Sequence, residues 1–239
     1  MSLVDLDDTL FQTERKCPPD VPRDALTPLG FAADGAPLSY ATPRQMALLN
    51  WLAETTRLIP ITARSLDALR RARVPHTAAI CAHGGVILDE HGAVDRNWAA
   101  RIATLAAADA PELHRLADAI AHAGGAAVRS RVLTEGGVPL YVLAKHKDAD
   151  AAALHALVAA AVPTLPSDWT RHVNGNNVAL LPPWLGKQHA VAHLLPALRA
   201  AHPGLPVIGI GDSLTDAPFM ALCDFAMLPT GSQLAGAIL

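Results

Sequence analysis

Hydrophobic and polar positions fall into short blocks along the chain, and the texture of the blocks changes twice. Residues 2–6 read as a short apolar strand that runs straight into acids at positions 5, 7 and 8. A polar, proline-rich stretch over 18–37 is too irregular for a long helix and reads as loop. The spacing over 42–57 predicts a helix. Thr42 is placed to cap it, Pro43 takes its first position, and Met46, Leu49, Leu52 and Ala53 share a face. Residues 57–62 (RLIPIT) read as a buried strand, although Pro60 removes a donor from its centre. A helix over 65–73 and strands over 77–81 and 86–88, the last two separated by a His83-Gly84-Gly85 turn, complete the first block.

From about Trp98 the pattern becomes helix and hairpin. Residues 110–123 predict a helix closed by Gly124 and Gly125. Residues 127–133 and 139–145 predict two strands paired around Glu135-Gly136-Gly137. A helix over 148–161, with Asp148 near its N-cap, and a strand over 178–181 lead to the Pro182-Pro183 break. After that break, α/β alternation resumes: helix 187–201, strand 206–210, an acidic turn, helix 217–222 and strand 225–228. Alternation at both ends predicts an α/β fold, a doubly wound and mostly parallel sheet with helices on both faces. The middle reads as an inserted α+β module. The expected division is a core of residues 1–85 and 184–239, with residues 86–183 inserted.

Composition narrows the function classes. Hydrophobic residues make up 51% of the 239 and charged residues 17%, enough for a large core and against disorder. Aromatics at 4% and a net charge of −3 leave little from which to build a nucleic-acid surface. Cys17, Cys81 and Cys223 form no CxxC pair, so no disulfide framework or structural zinc site is indicated. Acids at the start rule out a signal peptide there, and no apolar run reaches the length of a membrane span. The expectation is a soluble cytoplasmic protein, with no membrane or nucleic-acid polymer as partner.

The candidate chemistry lies where strands meet acids. In Val4-Asp5-Leu6-Asp7-Asp8-Thr9-Leu10, period-two alternation puts Asp5 and Asp7 on one side of the chain. Asp and Thr after a strand also serve as ordinary turn and capping residues. A second strand, 207–210, pours into Gly211-Asp212-Ser213-Leu214-Thr215-Asp216. If the two strands are neighbours, Asp5, Asp7, Asp212 and Asp216 crowd one crevice and repel one another unless a cation sits there or some carboxyls stay protonated. Oxygen-only ligands select a hard ion, with Mg2+ first. Thr62 ends a strand just before a helix, where a hydroxyl either caps the helix or holds an oxyanion. Lys187 opens a helix against its dipole and so needs another reason to be there, such as a phosphate and a cluster of aspartates.

These segments together resemble the haloacid dehalogenase (HAD) superfamily. DLDDTL at 5–10 is similar to its first motif, the Thr62 segment to its second, Lys187 to its third and GDSLTD at 211–216 to its fourth. The inserted module resembles a C2-type cap, and the segment 80–87 resembles the strand that precedes such caps. The likeness is to the Cof-like, sucrose-phosphatase-like and mannosylphosphoglycerate-phosphatase-like members. His83 and Thr215 stand where this group usually carries Asn.

The resemblance implies an Mg2+-dependent phosphatase acting on a small phosphomonoester metabolite such as a sugar phosphate, a phosphoglycerate-type ester or a nucleotide. It makes Asp5 the nucleophile and Asp7 the acid and base. Asp5, the Asp7 carbonyl and Asp212 become metal ligands, and Thr62 and Lys187 bind phosphate. Asp216 orients Lys187 or a metal-bound water, and Ala63 and Thr215 support the site. The alternatives are a phosphomutase or phosphotransferase on the same fold, or a catalytically silent binding module. In the insertion, Arg129, Arg131, Lys145, His172, Asn174, Asn176 and Asn177 are candidates for substrate selection. His189 and His193 stand at i,i+4 without a carboxylate or cysteine companion and read as helix surface.

Overall fold

A computed structural model describes residues 1–238. In chain order the elements are β1 (Ser2–Val4), β2 (Gln12–Thr13), β3 (Thr27–Phe31), β4 (Pro37–Ala41), α1 (Pro43–Thr55), β5 (Leu58–Pro60), α2 (Leu66–Arg70), β6 (Ala79–Cys81) and β7 (Val86–Leu88). There follow α3 (Arg96–Gly124), β8 (Val128–Glu135), β9 (Val138–His146), α4 (Ala151–Ala161), β10 (Thr170–Asn174) and β11 (Asn177–Leu181). The last are α5 (Lys187–Ala201), β12 (Ile208–Ile210), α6 (Ala217–Met220), β13 (Phe225–Met227) and α7 (Gln233–Ile238). The chain divides into two compact units, Met1–Trp98 with Lys187–Leu239, and Ala99–Gly186.

The first unit is built on a parallel sheet in the order β13-β12-β1-β5. β1 sits inside it, with Val4 opposite Ile210 on one side and Pro60 on the other. Pro60 is tolerated because the Ile61 N–H, one residue on, makes the bond back to β1, donating to Val4 O at 2.8 Å. The proline nitrogen faces the other way, where no β1 partner needs a donor. Helix α1 starts as its sequence predicts. The Thr42 side chain accepts from Gln45 N while the Gln45 side chain accepts from Thr42 N, a complete capping box with Pro43 at the first position. Leu49 and Leu52 bury its inner face in a core with Val4, Leu6, Phe11 and Leu58, each leucine contributing about 2 kcal/mol.

The stretch over 18–37 departs from its reading as loop. Thr27–Phe31 and the start of Pro37–Ala41 lie in it and join β2 in a three-stranded antiparallel sheet, β2-β4-β3. The hairpin has register shifts at Pro28/Gly30 and Gly30/Phe31, and these break the alternation by which a strand is recognised.

The second unit has an antiparallel sheet, β10-β11-β9-β8. Val128, Val142, Ala144, Val178 and Leu180 face a core shared with Leu113, Leu116 and Ile120 of α3 and Leu154 and Val158 of α4. Three expectations shift here. The helix expected over 110–123 begins at Arg96 and carries Pro111 inside it. Asp150, not Asp148, caps α4, accepting from Ala153 N at 2.9 Å. The loop around Asn174–Asn177 is the turn of a hairpin, with a strand before it whose exposed Val173 gave no core-facing signal.

Candidate active site at the carboxyl ends of β1, β5 and β12

Ligands of open parallel sheets bind beyond the carboxyl ends of the strands, and four of the sequence-selected groups, Asp5, Lys187, Asp212 and Asp216, converge there. Asp5 follows β1 directly, its N–H donating to Ile210 O at 2.8 Å. Asp212 follows β12, and Thr62 follows β5. Lys187, the first residue of α5, is buried and sends its ammonium to Asp5 Oδ1 at 2.5 Å and to Asp216 Oδ1 at 2.6 Å. Carboxylate oxygens of Asp5, Asp212 and Asp216 all lie within 4.8 Å of one another. Asp216 is the most committed of the three. Its second oxygen accepts from the Ser213 hydroxyl at 2.6 Å and from Ser213 N at 3.0 Å. Gly211 makes room for it, since a Cβ there would lie 2.6 Å from Asp216 Cβ.

Three carboxylates around one ammonium leave negative charge in excess. Burial pushes the Asp5 carboxyl well above the ordinary range, Lys187 opposes this, and Asp216 and Asp7 add to it. Burial and the neighbouring Asp216 and Asp8 push Asp212 up to about 6. Burial works against the charge of Lys187, but Asp5 and Asp216 outweigh it and raise its pKa above the ordinary ammonium value.

The sequence matches no protein family and no curated protein. Solved structures with similar folds include a sucrose-phosphatase from Synechocystis in complex with sucrose and phosphate. It is 19% identical, with 80% of this chain and 78% of that one covered and a TM-score of 0.55. A second is the C-terminal domain of a C. albicans trehalose-6-phosphate phosphatase, at 15% identity over 91% of this chain and 71% of that one, with a TM-score of 0.55. The chain shares the fold of these two phosphatases.

Within this fold the other sequence-selected residues take distinct places. Thr62 is fully buried, and its hydroxyl accepts from Arg64 N at 3.1 Å, closing the turn between β5 and α2. Ala63 lies in that turn. The cap of α2 is Ser65, whose side chain accepts from Ala68 N. Thr215 is exposed, and its hydroxyl meets the Ser213 hydroxyl at 2.8 Å rather than the carboxylate cluster. His83 has a left-handed backbone, φ 56°, and donates its N–H to Thr62 O at 3.2 Å. Asn and His both tolerate that conformation better than most residues, which accounts for a His at a position where Asn is expected. His193 does not join His189. Its Nε2 is 3.1 Å from Asp95 Oδ2, and its ring lies 4.9 Å from that of Trp98.

Two residues escaped the sequence reading. Arg64 holds Asp7 through two parallel contacts, Nε to Oδ2 and Nη2 to Oδ1, both 2.7 Å. It also donates to Ser39 Oγ at 3.1 Å and lies over the Phe11 ring. Gly30 keeps this space open, since a Cβ there would approach Arg64 Nη1 to 3.2 Å. The available signal was an arginine four residues beyond the end of β5, in a segment read only for its hydroxyl. Thr9 is the other. Its hydroxyl lies 3.4 Å from Asp5 Oδ2 and 3.3 Å from Asp212 Oδ1, and its single proton ties the two acidic segments together.

In the second unit, Asn176 exchanges hydrogen bonds with the main chain of His146, and the Asn177 side chain donates to Asn174 O. Both shape the β10–β11 turn. Arg129, Arg131 and Lys145 instead line a cavity with Leu143.

Proposed function

We propose that the chain is a cytoplasmic, Mg2+-dependent phosphatase that hydrolyses a small phosphomonoester through an aspartyl-phosphate. The observation that carries the reading is the setting of Asp5. Its carboxylate stands at the mouth of a parallel sheet, held by Lys187 on one oxygen and near Thr9 on the other, with Asp7 two residues on. The shared fold with a sucrose-phosphatase and a trehalose-6-phosphate phosphatase supports a phosphorylated metabolite, whether sugar phosphate, phosphoglycerate-type ester or nucleotide. Three free cysteines suit a reducing compartment.

In this reading an Asp5 oxygen attacks phosphorus, forming a new O–P bond as the ester P–O bond breaks. Asp7 gives its proton to the departing alkoxide, then takes one from a water whose oxygen attacks phosphorus and frees Asp5. To do so Asp7 must loosen from Arg64, so Arg64 sets where the acid rests between turnovers. Lys187 and Thr62 hold phosphate oxygens, because phosphoryl transfer depends chiefly on positioning and charge.

A hard divalent cation suits the donor set, which is all oxygen, largely buried and over-charged. Asp5, Asp212 and the Asp7 carbonyl would hold it. Mg2+ bound there supplies charge neutralisation for the phosphate oxygens. The unit Ala99–Gly186 serves as the C2-type cap that selects the substrate, and the other unit holds the chemistry.

The test is phosphate release across a panel of phosphomonoesters, with Mg2+ present and then chelated. Turnover that needs Mg2+ and is abolished by Asp5→Asn supports the reading. A flat panel, or activity retained in Asp5→Asn, overturns it.

A further inference from the structure

The small sheet β2-β4-β3 is joined to both partners of the Asp7–Arg64 pair. Its strand β2 follows Phe11, whose carbonyl accepts from Asp8 N at 2.7 Å and closes the turn that carries Asp7. Strand β4 supplies Ser39, which is buried and accepts from Arg64 Nη2 at 3.1 Å. Strand β3 is tied to the C-terminal side of α2, the helix that follows Arg64. Phe31 N donates to Arg71 O at 3.1 Å, and Arg73 N donates to Leu29 O at 2.7 Å. The register of the β3–β4 hairpin shifts on both sides of Gly30, which lies opposite Ser39. Bulges beside active sites re-aim a side chain, and this one puts a glycine where the guanidinium passes.

Arg64 is closed in as a result. Its guanidinium lies 4.8 Å from the centre of the Phe11 ring, Ser39 takes a proton of Nη2, and a Cβ on Gly30 would stand 3.2 Å from Nη1. The Arg64 side chain is 16% exposed and that of Asp7 36%, so the acid is the partner with room to move. A planar fork that holds both oxygens fixes the direction of a carboxylate. Asp7 therefore returns to one place each time it leaves. The pair Arg115–Glu112 joins near neighbours on one helix. Arg64 instead reaches across 57 positions, to the acid two residues beyond Asp5.

We propose that this sheet belongs to the active-site machinery: Ser39 locks Arg64, and both are positioning residues for the proton that Asp7 gives to the leaving group. The proposal rests on the phosphatase reading above. As the ester P–O bond breaks, its electron pair stays on the departing oxygen, which takes the Asp7 proton. That transfer is efficient only from a carboxyl already within reach. Alkoxide leaving groups depend on it, whereas a leaving group that is stable as an anion does not.

Two measurements on the full-length protein separate the lock from the phosphatase reading. The first compares kcat/KM for glycerol 3-phosphate, which must protonate its leaving group, with that for dinitrophenyl phosphate, which need not. In Arg64→Met the loss on the glycerol ester should exceed the loss on the aryl ester about tenfold, part of the ~10²–10⁴-fold that a placed acid supplies. Ser39→Ala should move the ratio the same way by about threefold, the worth of one hydrogen bond. Should Arg64→Met fail to fold, Ser39→Ala carries the test alone. Equal losses on the two esters in the folded variants overturn the proposal. The second follows hydrogen exchange at the Arg64 Nε–H resonance, with no substrate present. Exchange should be slow in the wild type and faster in Ser39→Ala by a similar factor; a rate that Ser39→Ala leaves unchanged overturns the lock. Release of the resonance with neither ester hydrolysed would keep the lock and reject the phosphatase. Hydrolysis of both esters at an unchanged ratio would do the reverse.

Discussion

Lys187 shows how much of the site rests on a single residue. Its ammonium is shared by Asp5 and Asp216 inside the protein, and removing one partner of a buried charge cluster costs about 3–5 kcal/mol. Lys187→Met should therefore lower unfolding free energy by that order, read from urea denaturation, although methionine fills nearly the same volume. A loss below about 1 kcal/mol would mean that the aspartates find water or protons as easily without it. Cys223 offers a check on burial in a different place. Burial, with Asp224 next, pushes its thiol up to about 11. Only about one thousandth is then thiolate at pH 8, so iodoacetamide labelling of Cys223 should climb about tenfold per pH unit from 8 to 10. A rate already at its plateau by pH 8 would contradict the buried setting. At this scale the sequence was a good guide to which acids come together, Asp5, Asp212 and Asp216, and a poor one to Arg64, because a salt bridge between residues 7 and 64 leaves no mark on local spacing.

Among the elements, α1 and its cap were legible because every signal is local. Thr42, Pro43 and Gln45 lie within four positions, and their bonds are made within the turn itself. Thr42→Ala should cost about 1 kcal/mol and shift the urea midpoint without changing its slope. Gln45 also donates to Gln12 Oε1 at 2.6 Å, so Gln45→Ala should exceed that loss. Equal losses in the two variants would show that the link to Gln12 adds nothing. The β3–β4 hairpin was not legible, since its strands hold two prolines and a bulge, and its partner β2 has two residues. Such a sheet exists only because three segments separated by loops meet.

For the whole molecule, two cores make two predictions in one. Leu154 is fully buried among Leu116, Val142 and Val158 in the second unit, and Leu154→Ala should cost about 2–5 kcal/mol there. Hydrogen exchange should then rise in β8, β9 and α4, while β1, β5 and β12 keep their protection. A uniform rise in both units would show that they unfold as one. The parallel order of the main sheet followed from alternating strands and helices. The unit boundaries, expected at 85/86 and 183/184, lie at Trp98/Ala99 and Gly186/Lys187, and the first is hard to read because α3 runs straight through it.

By itself the sequence determined the things that depend on near neighbours: the strand-then-acid junctions at Asp5 and Asp212, the capped helix at Thr42, and the period that buries one face of each strand. The tertiary structure alone decided how those junctions share charge. It gave Lys187 to Asp5 and Asp216, turned Asp7 towards Arg64, and used Thr9 to tie two distant acids. Electrostatic energy depends on distance through space and on burial, and neither is a function of separation along the chain.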